Sequence, residues 1–191
     1  MNEKELLDFF AEVGQLKRVK RSGWWVAGVP EPESVAEHSF RTGVMGHVLA
    51  RMEQVDPYKV VLMTLYNDVH ETRVNDLHKI GHRYIDFKAV EKKVQDEQLD
   101  AQDGFKKEIA LLLAELHAQQ TPESIVARDA DILECIIQGK EYFDFGFAQT
   151  KEWFEDKLSL LKTESAKKLY TFLLEQWHSA QWRDNLKKFD R

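Results

Sequence analysis

The chain is predicted to be all-α, a compact bundle of seven or eight helices in a single domain. Three observations support this. Glycine and proline are scarce, nine and four in 191 residues, too few for the many turns of a β-sandwich or barrel. Apolar residues recur at helical spacing along most of the chain. Helix starts are also written out at several points, with capping residues set just before apolar runs.

The first of these helices carries Leu6, Leu7, Phe9, Phe10 and Val13 and ends near Gly14. A loop over 16–33 follows, basic at first (Lys17, Arg18, Lys20, Arg21) and then rich in glycine, proline and tryptophan; loops of that length usually carry function. Ser34-Val-Ala-Glu37 is a capping box that opens the second helix. Asp56-Pro57 opens a third, with the aspartate as cap and the proline where its missing N–H costs nothing. The body of that helix, from Val60 to Val69, is apolar on nearly every side, which places it in the middle of the bundle. Further helices are predicted over about 86–99, 105–119, 122–142, 149–162 and 164–189. No linker, repeat or composition shift divides the chain, so 1–191 reads as one domain, with a motif-bearing core over about 16–145.

Composition excludes several classes. Hydrophobic residues at 43% and charged residues at 31% suit a globular protein rather than a disordered one. A net charge of −6 argues against broad binding to nucleic acid or to an anionic membrane, so a phosphorylated ligand would need a local basic pocket. The N-terminus lacks the order of a secretory signal and no apolar run is long enough to span a bilayer, so the cytoplasm is expected. Cys135 is the single cysteine, set in an apolar helical run and read as a buried, inert thiol.

Ionisable groups inside apolar helices need compensation, because an unpaired buried charge is costly. Asn67, Asp68, His70 and Glu71 end the most apolar helix. Asp131 is flanked by apolar positions, and His38 lies one turn into a capped helix that soon becomes apolar. Taken singly, each has an ordinary structural explanation. Together, one divalent cation would satisfy His38, Asp68 and Asp131, each arriving from a different helix. Glu71, three residues after Asp68, falls on the same helix face and could orient a water or take its proton. An arginine fork is suited to a phosphate dianion.

Four segments in this order resemble the HD-domain phosphohydrolase superfamily: Glu33-Ser-Val-Ala-Glu-His38-Ser, Leu65-Tyr-Asn-Asp68-Val-His-Glu71, Asn75-Asp76-Leu77 and Asp129-Ala-Asp131-Ile-Leu-Glu-Cys. The branch that the chain resembles most is that of the 5′-deoxynucleotidases, whose basic, tryptophan-bearing loop is matched by the segment from Leu16 to Trp24. The resemblance implies an all-α fold, a divalent metal (Mn, Co, Zn, Mg or Fe), a small nucleotide substrate and a homodimer. It implies metal ligands at His38, Asp68 and Asp131, a water-activating carboxylate at Glu71, and a second acidic residue beside the substrate at Asp76. Arg18 or Arg21, with Trp24, matches the loop that meets phosphate and sugar, and Arg21 is the tighter match. For Trp24 and Trp25, simple anchoring of the loop is an equal alternative.

The position before Asp68, histidine in the resembling family, is Asn67 here. An amide oxygen is a weaker ligand than imidazole. Asn67 could bind the metal weakly, His70 could substitute from one turn on, or the metal could be lost and a binding role kept. The residue could also have been introduced to trap substrate. The expectation is that fold and pocket persist while metal affinity and turnover fall. His78 and His82 are read as exposed or substrate-side rather than as a second metal site, His47 as a core or surface residue, and His117 and His178 as structural. Trp153, Trp177 and Trp182 are expected to pack the C-terminal helices or a dimer interface.

Overall fold

A computed structural model describes residues 3–101, 104–184 and 186. Among them run ten α-helices: α1 (Glu3–Val13), α2 (Ser22–Val26), α3 (Val35–Glu53), α4 (Pro57–Tyr66), α5 (Glu71–Val74), α6 (Phe87–Gln98), α7 (Gly104–Ala118), α8 (Pro122–Asp144), α9 (Glu164–Glu175) and α10 (Gln181–Asp184). The all-α expectation holds: the described residues contain no strand, only an isolated antiparallel bridge between Lys20 and Ser34. None of the described helices is long and apolar enough to cross a membrane.

The centre is a three-way packing of α3, α4 and α8, with α7 and α9 laid against it. Leu49, Val60, Met63, Leu133 and Ile136 fill it almost without exposure. Both capped starts form as read. Ser34 accepts from the Glu37 amide while Glu37 reaches back to the Ser34 N–H at 2.6 Å. Asp56 accepts from the amides of Tyr58 and Lys59. Where α3 passes α4, Gly46 permits a close approach, since a Cβ there would sit 3.1 Å from the Val60 side chain.

The predicted boundaries differ from the structure in four places. Helix α4 stops at Tyr66, and residues 67–70 form a turn before the short α5. Asp68 and Glu71 therefore share a turn, closed by the Glu71 amide donating to the Asp68 carbonyl at 3.0 Å, rather than the face of one long helix. The loop over 16–33 contains a 3-10 turn (Gly14–Lys17) and α2. The helix expected over 149–162 is instead two 3-10 turns, Ala148–Trp153 and Leu158–Leu160. Asp156, at φ 55°, takes a left-handed conformation that interrupts the helical path, and Thr150 donates to the Gly139 carbonyl, tying the first turn to α8. The helix expected over 164–189 is instead α9, ending at Glu175, and the short α10, and the predicted positions 185 and 187–189 lie outside the described residues.

Asp129 shows how α9 is held. This wholly buried carboxylate on α8 accepts from the Lys162 amide (2.9 Å), the Thr163 amide (2.6 Å) and the Thr163 hydroxyl (2.7 Å). Asp129→Ala is expected to cost about 3 kcal/mol or more, because those donors stay buried without an acceptor. Chemical denaturation measures it, and a loss below about 1 kcal/mol would contradict this role.

Candidate active site

Three elements bring the candidate ligands together. The capping box aims the first turn of α3 inward, so that His38 is only 1% exposed. The turn after α4 presents Asp68, and the middle of α8 presents Asp131. His38 Nε2 lies 3.0 Å from Asp131 Oδ1 and 3.5 Å from Asp68 Oδ2. One ligand atom from each of the three lies within 4.8 Å of the others.

The electrostatics of this group suit a cation. Burial pushes the Asp68 carboxyl up, with help from the neighbouring Asp131 charge and opposed by His38. Burial works against Asp131 as well, but the hydrogen bond and charge of His38 hold it below the usual carboxylate range. Burial and the Arg21 charge oppose a protonated His38, yet its bonds to Asp131 and Glu134 outweigh them and push the imidazole up to about 10. One buried carboxylate (Asp68), one partly exposed carboxylate (Asp131) and an imidazole nitrogen make a mixed O/N donor set of the kind that takes a borderline divalent ion. The residues present therefore fit the metal expected of them.

Around this group the other predicted residues fall unevenly. Glu71 is buried, its Oε2 without a hydrogen-bond partner, and burial together with the charges of Asp68 and Asp76 pushes its carboxyl well up. Arg21 is close enough to feel Asp68, Asp76 and Asp131, and its guanidinium bonds Asp76 at 3.2 Å. Asp76 also accepts from the Ser22 amide (2.8 Å) and hydroxyl (2.6 Å), so it pins the loop and Arg21 in place. Arg18 is exposed and donates to Gln15 at 2.8 Å. Of the two arginines, only Arg21 joins this cluster.

Trp24 corrects the direct-contact expectation. Its ring is 1% exposed, packed on Tyr142 and Trp153, with the indole N–H donating to Glu33 at 2.8 Å. It offers no free face to a sugar or base and instead anchors the loop, the alternative raised from the sequence. The pairing of Val19 with Val35 and of Arg21 with Glu33 closes the base of that loop beside α3.

Asn67 lies at the end of α4, where its amide donates to Asp68 Oδ1 at 2.7 Å. His70 does not take its place: its Nδ1 faces the Asn67 carbonyl at 3.2 Å, and its ring packs on Phe87. Asn67→His is expected to tighten Co²⁺ binding by roughly tenfold or more, one imidazole replacing an amide oxygen. Calorimetry on both proteins would show it, and unchanged affinity and unchanged turnover would mean that the position is misread. Among the described residues the His78 and His82 rings hydrogen-bond within their own turn, to the Gly81 amide and the Leu77 carbonyl, and His82 also packs on Phe87. Burial pushes the Cys135 thiol up to about 12, in keeping with an inert residue.

Sequence reasoning missed Glu134 and Arg41. Glu134 is wholly buried, meets His38 Nδ1 and accepts from Arg41 Nε at 2.8 Å. The usable signal was spacing: Glu134 follows Asp131, and Arg41 follows His38, by three residues, one turn along the same helix face.

An all-α bundle with an imidazole, two aspartates and an unpaired glutamate converging where the start of α3, the turn after α4 and the middle of α8 meet defines a class, the helical metal-dependent hydrolases. The chain belongs to the HD domain family, whose model matches residues 13–173. It is 33% identical to the 5′-deoxynucleotidase HDDC2 of Homo sapiens over 147 residues, 74% of this chain and 70% of that one. It is 26% identical to a 5′-deoxynucleotidase of Citrobacter koseri over 184 residues, 89% of this chain and 92% of that one. Among solved structures, a conserved hypothetical protein from Pyrococcus furiosus superposes with a TM-score of 0.75 at 29% identity, covering 88% of this chain and 97% of that one.

Proposed function

We propose that this protein is a metal-dependent phosphomonoesterase that releases phosphate from deoxynucleoside 5′-monophosphates. One observation carries the reading: His38, Asp68 and Asp131 converge beside an unpaired buried Glu71 and an arginine held over them, in a chain whose relatives are named 5′-deoxynucleotidases. In this reading His38, Asp68 and Asp131, with Asn67 as a weak fourth donor, hold the divalent ion. When bound, such an ion lowers the pKa of water and polarises a phosphoryl oxygen.

The chain's own residues do the rest. Arg21, fixed by Asp76, directs its remaining N–H donors at the phosphate and neutralises its charge. Glu71, pushed up by burial, is a stronger base than a free carboxylate and accepts the proton of the attacking water. The water oxygen forms its bond to phosphorus as the P–O5′ bond breaks, the electron pair leaving on O5′, which then takes up a proton.

A panel of deoxynucleoside and nucleoside mono-, di- and triphosphates, assayed with Mn²⁺, Co²⁺ and Mg²⁺, tests this. Inorganic phosphate from the deoxynucleoside monophosphates is expected. Release of pyrophosphate or triphosphate would instead support hydrolysis of another nucleotide, and tight nucleotide binding without turnover would support a decayed binding protein.

The same reading takes the protein to be a cytoplasmic homodimer. Exposed Phe40, Val44, Val48 and Met52 recur every fourth residue along the outer face of α3 and supply a self-complementary apolar stripe. A monomer in sedimentation velocity would contradict the dimer.

A further inference from the structure

Beside the candidate ligands lies a second layer of charge that the proposed reaction does not use. His38 Nδ1, the nitrogen facing away from Asp68 and Asp131, meets the carboxylate of Glu134. Glu134 has no exposure at all, and burial alone would push it up, but its bonds and charges with His38 and Arg41 hold it down and ionised. Arg41 closes the other side. Its Nε donates to Glu134 Oε1 at 2.8 Å, its Nη2 to Gln138 at 2.6 Å and its Nη1 to Glu141 at 2.7 Å.

The helical repeat explains why these groups meet. His38 and Arg41 are one turn apart on α3, while Asp131, Glu134, Gln138 and Glu141 descend one face of α8. Where α3 packs on α8, the imidazole is held between the first two of these carboxylates, and the guanidinium spans the last three side chains. Glu134 is thus a buried charge that is fully paired, which is the condition for tolerating it.

We infer that Glu134, held by Arg41, is the positioning residue that sets His38 as a metal ligand. Accepting from Nδ1–H, Glu134 fixes the ring's rotation, keeps the lone pair on Nε2 facing Asp68 and Asp131, and raises the basicity of that nitrogen. Carboxylate partners of metal-binding histidines act in this way elsewhere, and their loss weakens metal binding by about 10–100-fold. Arg41 acts one step further out by fixing Glu134. The inference rests on the metal reading of His38, Asp68 and Asp131.

The test measures Mn²⁺ affinity by calorimetry for the wild-type chain, Glu134→Gln and Arg41→Gln, together with the imidazole ¹H–¹⁵N signals of the Zn²⁺-loaded proteins. Glu134→Gln is expected to bind Mn²⁺ about 10–100-fold more weakly, and Arg41→Gln several-fold more weakly. The His38 Nδ1–H proton is expected at low field in the wild-type chain and to move upfield in Glu134→Gln, where the acceptor is neutral. A purely structural role for Glu134 would lower stability and leave Mn²⁺ affinity unchanged. If Glu134→Gln does not fold, Arg41→Gln, whose side chain is 30% exposed, carries the test alone. Unchanged Mn²⁺ affinity in the variants that fold, with a wild-type chain that binds, would overturn the positioning role alone. A wild-type chain that binds no Mn²⁺ would overturn the metal reading and this inference with it.

Discussion

Asp131→Asn is expected to reduce phosphate release by about 10³-fold, and Asp68→Asn by a similar factor. Each change removes one of two charged ligand oxygens from a site that has only one imidazole to share the load. Asn67 compounds the effect, because its amide cannot make up for a lost carboxylate. The contribution of a bound ion to a hydrolytic transition state is several kcal/mol, and about 1.4 kcal/mol is tenfold in rate. Asp131→Asn also takes away the charge that holds His38, whose Nε2 sits 3.0 Å away. Metal content and phosphate release should therefore fall together. A variant that keeps full metal content and turnover would place the ion elsewhere.

The second large effect belongs to Glu71. Glu71→Gln keeps the shape of the side chain and removes its ability to accept a proton. Its buried Oε2 has no partner among the described residues, so the substitution breaks no hydrogen bond from that atom. A loss of about 10²–10⁴-fold in kcat is expected, with metal affinity changed little because Glu71 is outside the ligand group. Burial also penalises its charge, and relief of that penalty should leave the variant at least as stable as the parent. Calorimetry with Mn²⁺ beside steady-state kinetics separates the two contributions. Equal losses of affinity and turnover would make Glu71 a ligand, and no loss of either would remove it from the mechanism.

These two residues also show what the sequence made legible. His38, Asp68, Asp131 and Glu71 were visible because ionisable groups in apolar helices are costly and four motifs came in order. Asp129 and Asp131 needed more. Two residues apart on a helix, they point roughly 200° from each other, so one faces the metal group while the other takes the N-terminus of α9. The capped starts at Ser34 and Asp56 were legible because caps are local chemistry.

Contacts between distant segments were not legible in the same way. Nothing in the spacing of α3 says that Arg41 will meet Glu134, Gln138 and Glu141, since that depends on how α3 lies on α8. Trp24 was drawn toward the substrate by its basic neighbours, but Tyr142 and Trp153 bury it from positions more than a hundred residues away. The apolar residues of 149–162 suggested a helix, whereas tethering of Thr150 to Gly139 and the left-handed Asp156 make two short turns.

Diffraction from crystals soaked in Mn²⁺, with anomalous data, tests the central claim most directly. A single anomalous peak is predicted within bonding distance of His38 Nε2, Asp68 and Asp131, with Glu71 facing it and outside the ligand sphere. No peak at saturating Mn²⁺, or a peak held by other residues, would contradict the account.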